Sequence, residues 1–360
     1  MTTRITRPGI ASALAAAALF GISTPLAKLL VGDVAPVLLA GLLYLGAGAC
    51  LLAWYGWRRM RRTEEAAAHG PFTRADIGSL VGAITAGGVL GPVLLMEGLA
   101  RTAAASASLL LNLEGVLTAL LAWLVFRENV DRRIAAGMAL IVAGGVAVAW
   151  KGGAIAFGSG SLLIAGACLA WAIDNNLTRH LSARDPVQIA GLKGLVAGFT
   201  NTAVALSLGA PFPHPSIAAA AGSVGAVGYG LSLVLFMIAL RHLGSARTGA
   251  YFSTAPFLGA GVSLLLLHER LAPLFWPAAG LMVLGVYLHL TESHAHSHEH
   301  EPQTHTHRHT HDLHHQHAHD FPWDGAEPHT HSHTHAPLLH SHPHFPDIHH
   351  RHRHHNSAGP

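Results

Sequence analysis

Residues 36–48 read PVLLAGLLYLGAG and residues 186–198 read PVQIAGLKGLVAG, with eight of the thirteen positions identical at an offset of 150. This is a duplication inside apolar sequence, and its period is far too long for a solenoid repeat. It constrains the fold more than any other feature, because whatever the first copy builds, the second must build again.

The surrounding sequence says what is built. Apolar stretches long enough to cross a bilayer, about twenty residues each, recur at 9–31, 35–56, 76–98, 102–126, 133–150, 158–180, 186–208, 216–240, 246–267 and 271–290. Mean hydropathy is +0.38 and only 11% of residues are charged, where a soluble chain carries about a quarter. The reading is an all-α integral membrane protein of ten transmembrane helices. The first span follows Arg4 and Arg7, but it is longer than a typical signal core, so it is expected to be retained. Cys50 and Cys168 sit in separate apolar segments and imply no disulfide framework.

Basic residues test the count. With the N-terminus inside, fourteen Lys and Arg, from Arg4 to Arg247, fall in cytoplasmic segments, and only Arg101, Lys151 and Arg270 fall on the other side. That is a positive-inside pattern, so both termini are expected to be cytoplasmic; the membrane is expected to be a bacterial inner membrane. Each half then holds five spans, an odd number, so the second copy enters from the opposite side. Lys28 aligns with Arg179, Arg101 with Arg241, Glu128 with Glu269 and Gly144 with Gly285. The domains are a first repeat, 1–150, a second repeat, 151–291, and a tail, 292–360. An inverted 5+5 repeat suits alternating access, with the substrate site where the copies meet.

Ionisable groups in hydrocarbon need a reason, at roughly 2.5–3.5 kcal/mol each on insertion scales. Five qualify: Lys28, Glu97, Glu114, Asp174 and Lys193. Lys28 and Glu97 lie near outer span ends, so Lys28 is expected to snorkel and Glu97 to pair with Arg101. Asp174 and Lys193 both lie toward the cytoplasmic side and are expected to pair with each other. Glu114 falls mid-span, two residues after Asn112, with no Lys or Arg within two turns. It is the carboxyl best suited to proton coupling; a hydrogen-bonded structural role is the alternative. Asp174-Asn175-Asn176 occupies the place of Ser23-Thr24-Pro25 in the first copy, and Pro25 is expected to open span 1 there. Phe20, Trp171 and Tyr229 are the aromatic neighbours. Glycines four apart, such as Gly87–Gly91 and Gly194–Gly198, permit close helix contact.

The segments ARTAAASASLLLNLEGVLTALLAWLVFRENV (100–130) and ALRHLGSARTGAYFSTAPFLGAGVSLLLLHERL (239–271) resemble the signatures of the two repeats of EamA-type transporters in the drug/metabolite transporter superfamily. The resemblance covers residues 9–290. It implies ten helices, no required cofactor and secondary transport of small solutes. The chain departs from the pattern at Gly115, where proline often follows Leu-Glu, and at Leu43, where a basic residue is common and only the second copy keeps one, at Lys193.

Of 30 histidines, 24 lie between His294 and His355. The alternating ones (His294, His296, His298, His300, His305, His307, His309, His311, His314, His315, His317, His319, His329, His331, His333 and His335) are candidate ligands for Zn²⁺, Ni²⁺, Cu²⁺ or Co²⁺. Interspersed acids and prolines, without apolar periodicity, predict a disordered segment. The expected function is secondary active export of a small organic metabolite by alternating access, proton-coupled and with a metal-binding cytoplasmic tail, through Glu114, Asn112, Asp174, Asn175, Asn176, Lys193, Pro25, Lys28 and Glu97. A divalent-metal exporter and a non-transporting metal sensor or store are the alternatives. No nucleophile–base set, nucleotide loop or nucleic-acid-binding face is present in the sequence. The expected partners are the bilayer, a small solute, transition-metal ions and a second copy of the chain.

Overall fold

The computed structural model describes residues 7–61, 74–126, 132–150, 157–178, 185–269 and 271–290, with 295–300, 304–309, 329–334 and 338–343 in the tail. Arg4, Lys151, Arg179, Glu128 and Arg270 lie outside these residues, as do His294, His311, His314, His315, His317, His319 and His335.

Apolar composition makes helices of almost the whole first unit, Met1–Thr291. Two long helices, α1 (Arg7–Leu30) and α2 (Pro36–Arg61), come first. Next are α3 (Arg74–Ala83), a π-helical turn (Ile84–Leu90) and α4 (Gly91–Arg101). After α5 (Ala104–Leu110) a turn at 111–112 leads to α6 (Leu113–Phe126), and α7 (Arg132–Ala149) closes the first half. The second half begins with α8 (Ser159–Thr178) and α9 (Pro186–Ser207). It continues with α10 (Pro215–Gly225), a second π-helical turn (Ala226–Leu231) and α11 (Ser232–Leu243). Last come α12 (Ser245–Phe252), a turn at 253–254, α13 (Ala255–Leu267) and α14 (Phe275–Leu290).

Among the described residues, eight helical stretches are long and apolar enough to cross a bilayer: 8–30, 36–60, 77–101, 104–125, 132–149, 186–207, 215–240 and 247–267. Helix α14 is apolar but shorter, and Asp174-Asn175-Asn176 makes α8 more polar than the rest.

The interruptions repeat with the sequence. The π-helical turns begin at 84 and 226 and the later turns at 111 and 253, each pair 142 residues apart. Packing repeats too. Helix α1 lies against α11 and α13, as α8 lies against α4 and α6, while α2 packs on α9 and α7 on α14. The duplicated segment is the crossing of α2 and α9. A Cβ added to Gly48 would meet Leu195 N at 2.5 Å and Gly191 O at 3.0 Å. One on Gly198 would meet Leu45 N at 2.6 Å and Gly41 O at 3.0 Å. The repeated glycines thus bring the two backbones together from both sides at once.

Pro25 corrects one expectation. Helix α1 runs unbroken through it. Proline deprives the Gly21 carbonyl of its helical donor, and that carbonyl packs instead on Gly259 of α13, 2.7 Å from where a Cβ would stand. The breaks fall in the third and fourth apolar stretches of each half, where sequence predicted continuous spans.

The second unit, Glu292–Pro360, corrects another. Where disorder was expected, β1 (Ala295–His300) pairs antiparallel with β4 (Leu338–Pro343), and β2 (Thr304–His309) with β3 (His329–Thr334). Histidine alternating with Ser or Thr has the two-residue period of a strand. The register sets His296 opposite His342, His298 opposite His340, and His305, His307 and His309 opposite His333, His331 and His329.

Candidate functional site

A proline organises the centre of the first unit. In the π-helical turn the Gly91 N–H bonds to Ala86 O, five residues back. The next residue, Pro92, has no N–H, so neither Gly87 O nor Gly88 O, five and four residues before it, can take a helical hydrogen bond from that position. Side chains from three other helices take its place. Tyr44 of α2 and Trp171 of α8 both donate to Gly87 O, at 3.1 and 2.9 Å, and Asn201 of α9 donates to Gly88 O at 3.3 Å. One missing backbone donor therefore ties α2, α8 and α9 to a single point of the third apolar stretch.

Beside that point lies an ion pair. Asp174 of α8 sits over Gly87, where any side chain would overlap its carboxylate. Its Oδ1 accepts from Lys193 Nζ of α9 and, at 2.8 Å, from Thr178 Oγ1. The two side chains are 11% and 15% exposed, so the pair is held largely away from solvent. The expected Asp174–Lys193 contact is formed, and Thr178, which sequence did not flag, completes it.

One residue on, Asn175 donates to Glu114 Oε1 at 2.9 Å and to Thr118 Oγ1 at 3.4 Å, joining α8 to α6. Its position on the helix matters more than the bonds. Leu162, Leu169 and Ile173 form one exposed apolar stripe, and at 100° per residue Asn175 stands roughly 200° from Ile173. That is the inward side, shared with the partly buried Trp171 and the buried Ile164 and Cys168. Asn175 is nonetheless exposed. Glu114, whose carboxyl it meets, is only partly buried. Asn176 is buried, donating to Ala172 O at 2.8 Å and, also on α6, to Thr118 O at 3.3 Å.

The aromatics form a run across the same region. Phe20 meets Tyr229 at 5.8 Å and Phe252 at 5.5 Å between ring centroids, and Tyr229 meets Tyr44 at 6.0 Å. Trp171 is engaged with Gly87 instead.

The other predicted residues do not join this group. Asn112 lies in the turn between α5 and α6, where it donates to Leu109 O at 2.9 Å. Glu97 pairs with Arg101 at 2.8 Å, one helical turn away, as expected. Lys28 does not snorkel; its Nζ donates to the carbonyls of Leu99 and Thr102, which α4 leaves open at its C-terminus. Glu269 accepts from Ala104 N at 2.7 Å and Ala105 N at 2.9 Å. Tyr44, Thr118, Thr178, Asn201 and Glu269 went unrecognised in the sequence. Only two signals pointed to them: the glycines just before Pro92, and the alignment of Glu269 with Glu128. Among the described residues no group of three or more His, Cys, Asp or Glu side chains is placed to hold a metal ion.

Comparison with known proteins now accounts for the duplication. The EamA-like transporter family matches residues 7–150 and again 158–291. The chain belongs to the EamA-like transporter family. This agrees with the drug/metabolite transporter resemblance read from the two signatures. A similar protein is an uncharacterized transporter of Methanothermobacter thermautotrophicus, 30% identical over 295 residues, which cover 78% of this chain and 85% of the relative. A solved chain described only as "Crystal structure of protein" has a TM-score of 0.56 at 20% identity, covering 78% of this chain and 95% of its own. That likeness concerns the fold. As an EamA member the chain is a multi-pass membrane transporter.

Proposed function

We propose that this EamA protein is a secondary active transporter that exports a small organic metabolite by alternating access, with proton coupling at Glu114. Ten membrane passes, adding α8 and α14 to the eight stretches above, would form an inverted 5+5 repeat. Both termini would be cytoplasmic and the bilayer that of a bacterial inner membrane. The observation that carries the reading is the exposed Asn175 on the inward side of α8, bonded to Glu114 and next to the Asp174–Lys193 pair. A polar space beside interrupted helices, where the two halves meet, is where transporters of this construction bind solute.

The chemistry of the site supports an organic solute. An ammonium group, two carboxyl groups, an amide and an indole are mixed donors and acceptors among aromatic rings. The polar groups can orient a substrate while the rings take its apolar part. A hard-ligand set of carboxyl and amide suits Ni²⁺ or Zn²⁺ poorly, which ranks a metal exporter second. The tail is read as a metal-responsive element, because the register brings histidine positions opposite one another.

In the cycle, Glu114 exchanges a proton with one face and gives up its bond to Asn175 as solute enters. Lys193 and Asp174 neutralise each other while the space is closed. Counterflow of a metabolite panel in proteoliposomes tests the function. Glu114→Gln is expected to abolish proton-gradient dependence; a normal rate with unchanged pH dependence would refute coupling at this residue.

A further inference from the structure

The corner that joins α4 to α5 is fastened at both ends by residues from elsewhere in the fold. Thr102 and Ala103 are extended there, with φ, ψ of −133°, 148° and −59°, 137°. The last carbonyls of α4 are met by Lys28 of α1 and the first amides of α5 by Glu269, two residues beyond α13. Each charge has the sign that its helix end favours, a cation at the C-terminus and an anion at the N-terminus. The two charges also attract each other across the corner. Neither comes from α4 or α5. The neighbouring pair Glu97–Arg101 closes within α4 itself and ties nothing together.

Position gives the clamp its meaning. The arginine distribution puts this corner at the outer face. Helix α5 is only seven residues long, is largely buried, and ends in the turn that precedes Glu114. Whatever holds its first amides holds one end of the interrupted stretch that carries Glu114. A rigid corner tied to α1 and to the end of α13 keeps these helices together at that face. They cannot part while both sets of bonds stand.

We propose that Lys28 and Glu269 are positioning residues that latch the outer face of the transporter, and that outward opening requires both to release the 101–104 corner. This rests on the transport reading above. The duplication adds a sequence observation: the aligned positions in the opposite half are Arg179 and Glu128, again a cation and a carboxylate.

The test uses the full chain with Cys50 and Cys168 replaced by serine and a single reporter, Asn175→Cys, in membrane vesicles whose outer face is accessible. A membrane-impermeant maleimide is applied from outside. Lys28→Met and Glu269→Gln are each expected to raise the labelling rate by about tenfold, as a shifted equilibrium of about 1.4 kcal/mol would give. Lys28→Arg, which keeps the charge and donors, should label at the parental rate. Glu269→Asp, with charge kept and reach shortened, should be intermediate, and it is the variant to read if Glu269→Gln does not fold. Unchanged labelling in folded Lys28→Met and Glu269→Asp, with only a lower unfolding temperature, would overturn the latch and leave two helix caps. If the wild-type chain, with Asn175 intact, shows no metabolite counterflow, the transport reading fails. Normal counterflow in the wild-type chain with unchanged labelling of the reporter variants would refute the latch alone.

Discussion

Replacing Gly198 by alanine puts a methyl group where the α2–α9 crossing has no room. Its Cβ would stand 2.6 Å from Leu45 N and 3.0 Å from Gly41 O. Both partners are backbone atoms, so no rotamer change relieves the contact, and the helices must separate by roughly 1 Å to restore ordinary packing. Overpacking of this kind costs about 1–3 kcal/mol, offset by about 1 kcal/mol of helix propensity gained over glycine. The net expectation is a loss of up to about 2 kcal/mol. Gly280→Ala on α14 is the control, since nothing lies within 4 Å of its added Cβ; it collects the propensity gain without the clash. Gly48→Ala should match Gly198→Ala, because the crossing is the same seen from either half. The double variant should cost less than the sum, since helices parted for one methyl have room for the other. The assay is the thermal unfolding midpoint of purified protein in a mild detergent. Equal midpoints for Gly198→Ala and Gly280→Ala would show that the crossing is not close-packed, and the argument would fail.

Three other outcomes follow from the site. Tyr44→Phe or Trp171→Phe alone should cost less than about 1 kcal/mol, because the other donor still serves Gly87 O, whereas the double change orphans that carbonyl and should cost about 1–3 kcal/mol; an additive cycle in unfolding experiments would contradict the shared-acceptor reading. Lys193→Met should destabilise by about 3–5 kcal/mol by leaving Asp174 buried and unpaired, and adding Asp174→Asn should recover most of that loss in the same assay. Removing residues 294–360 should abolish binding of several Zn²⁺ or Ni²⁺ ions in calorimetric titration while the unfolding midpoint of the core stays put; a truncated protein that still binds the same number of ions would rule out the tail as their site.

Much of the scaffold was legible because bilayer-spanning helices declare themselves by length and apolarity, and because the duplication supplies a second reading of each element. The Asp174–Lys193 and Glu97–Arg101 pairs were legible for a similar reason: a charge in an apolar stretch seeks its opposite. What escaped was backbone hydrogen bonding. Pro92 looks harmless by hydropathy, and only counting back four and five residues shows which carbonyls it orphans. Pro25 misled in the opposite direction, because tight packing of Gly21 on Gly259 holds α1 straight. Lys28 lay near a span end, where snorkelling is the default, and open carbonyls from a corner distant in sequence captured it instead. In the tail, composition argued for disorder while the two-residue alternation of His with Ser or Thr already carried the strand period.

Pro92 has one further consequence. It stands second after the π-helical turn of the first half, following Gly91, and the corresponding turn of the second half is followed by Ser232 and Leu233, with Ser232 Oγ reaching Ala16 O at 2.9 Å. In the cycle proposed above, two identical inverted halves would make the inward-facing and outward-facing forms equivalent by a two-fold rotation and equal in energy. A difference in hydrogen bonding between the halves lifts that degeneracy, and about 1.4 kcal/mol is enough for a tenfold preference at rest. On that proposal the asymmetry would give an otherwise reversible machine a preferred waiting position, so that solute arriving on one side would more often find the door on its own side.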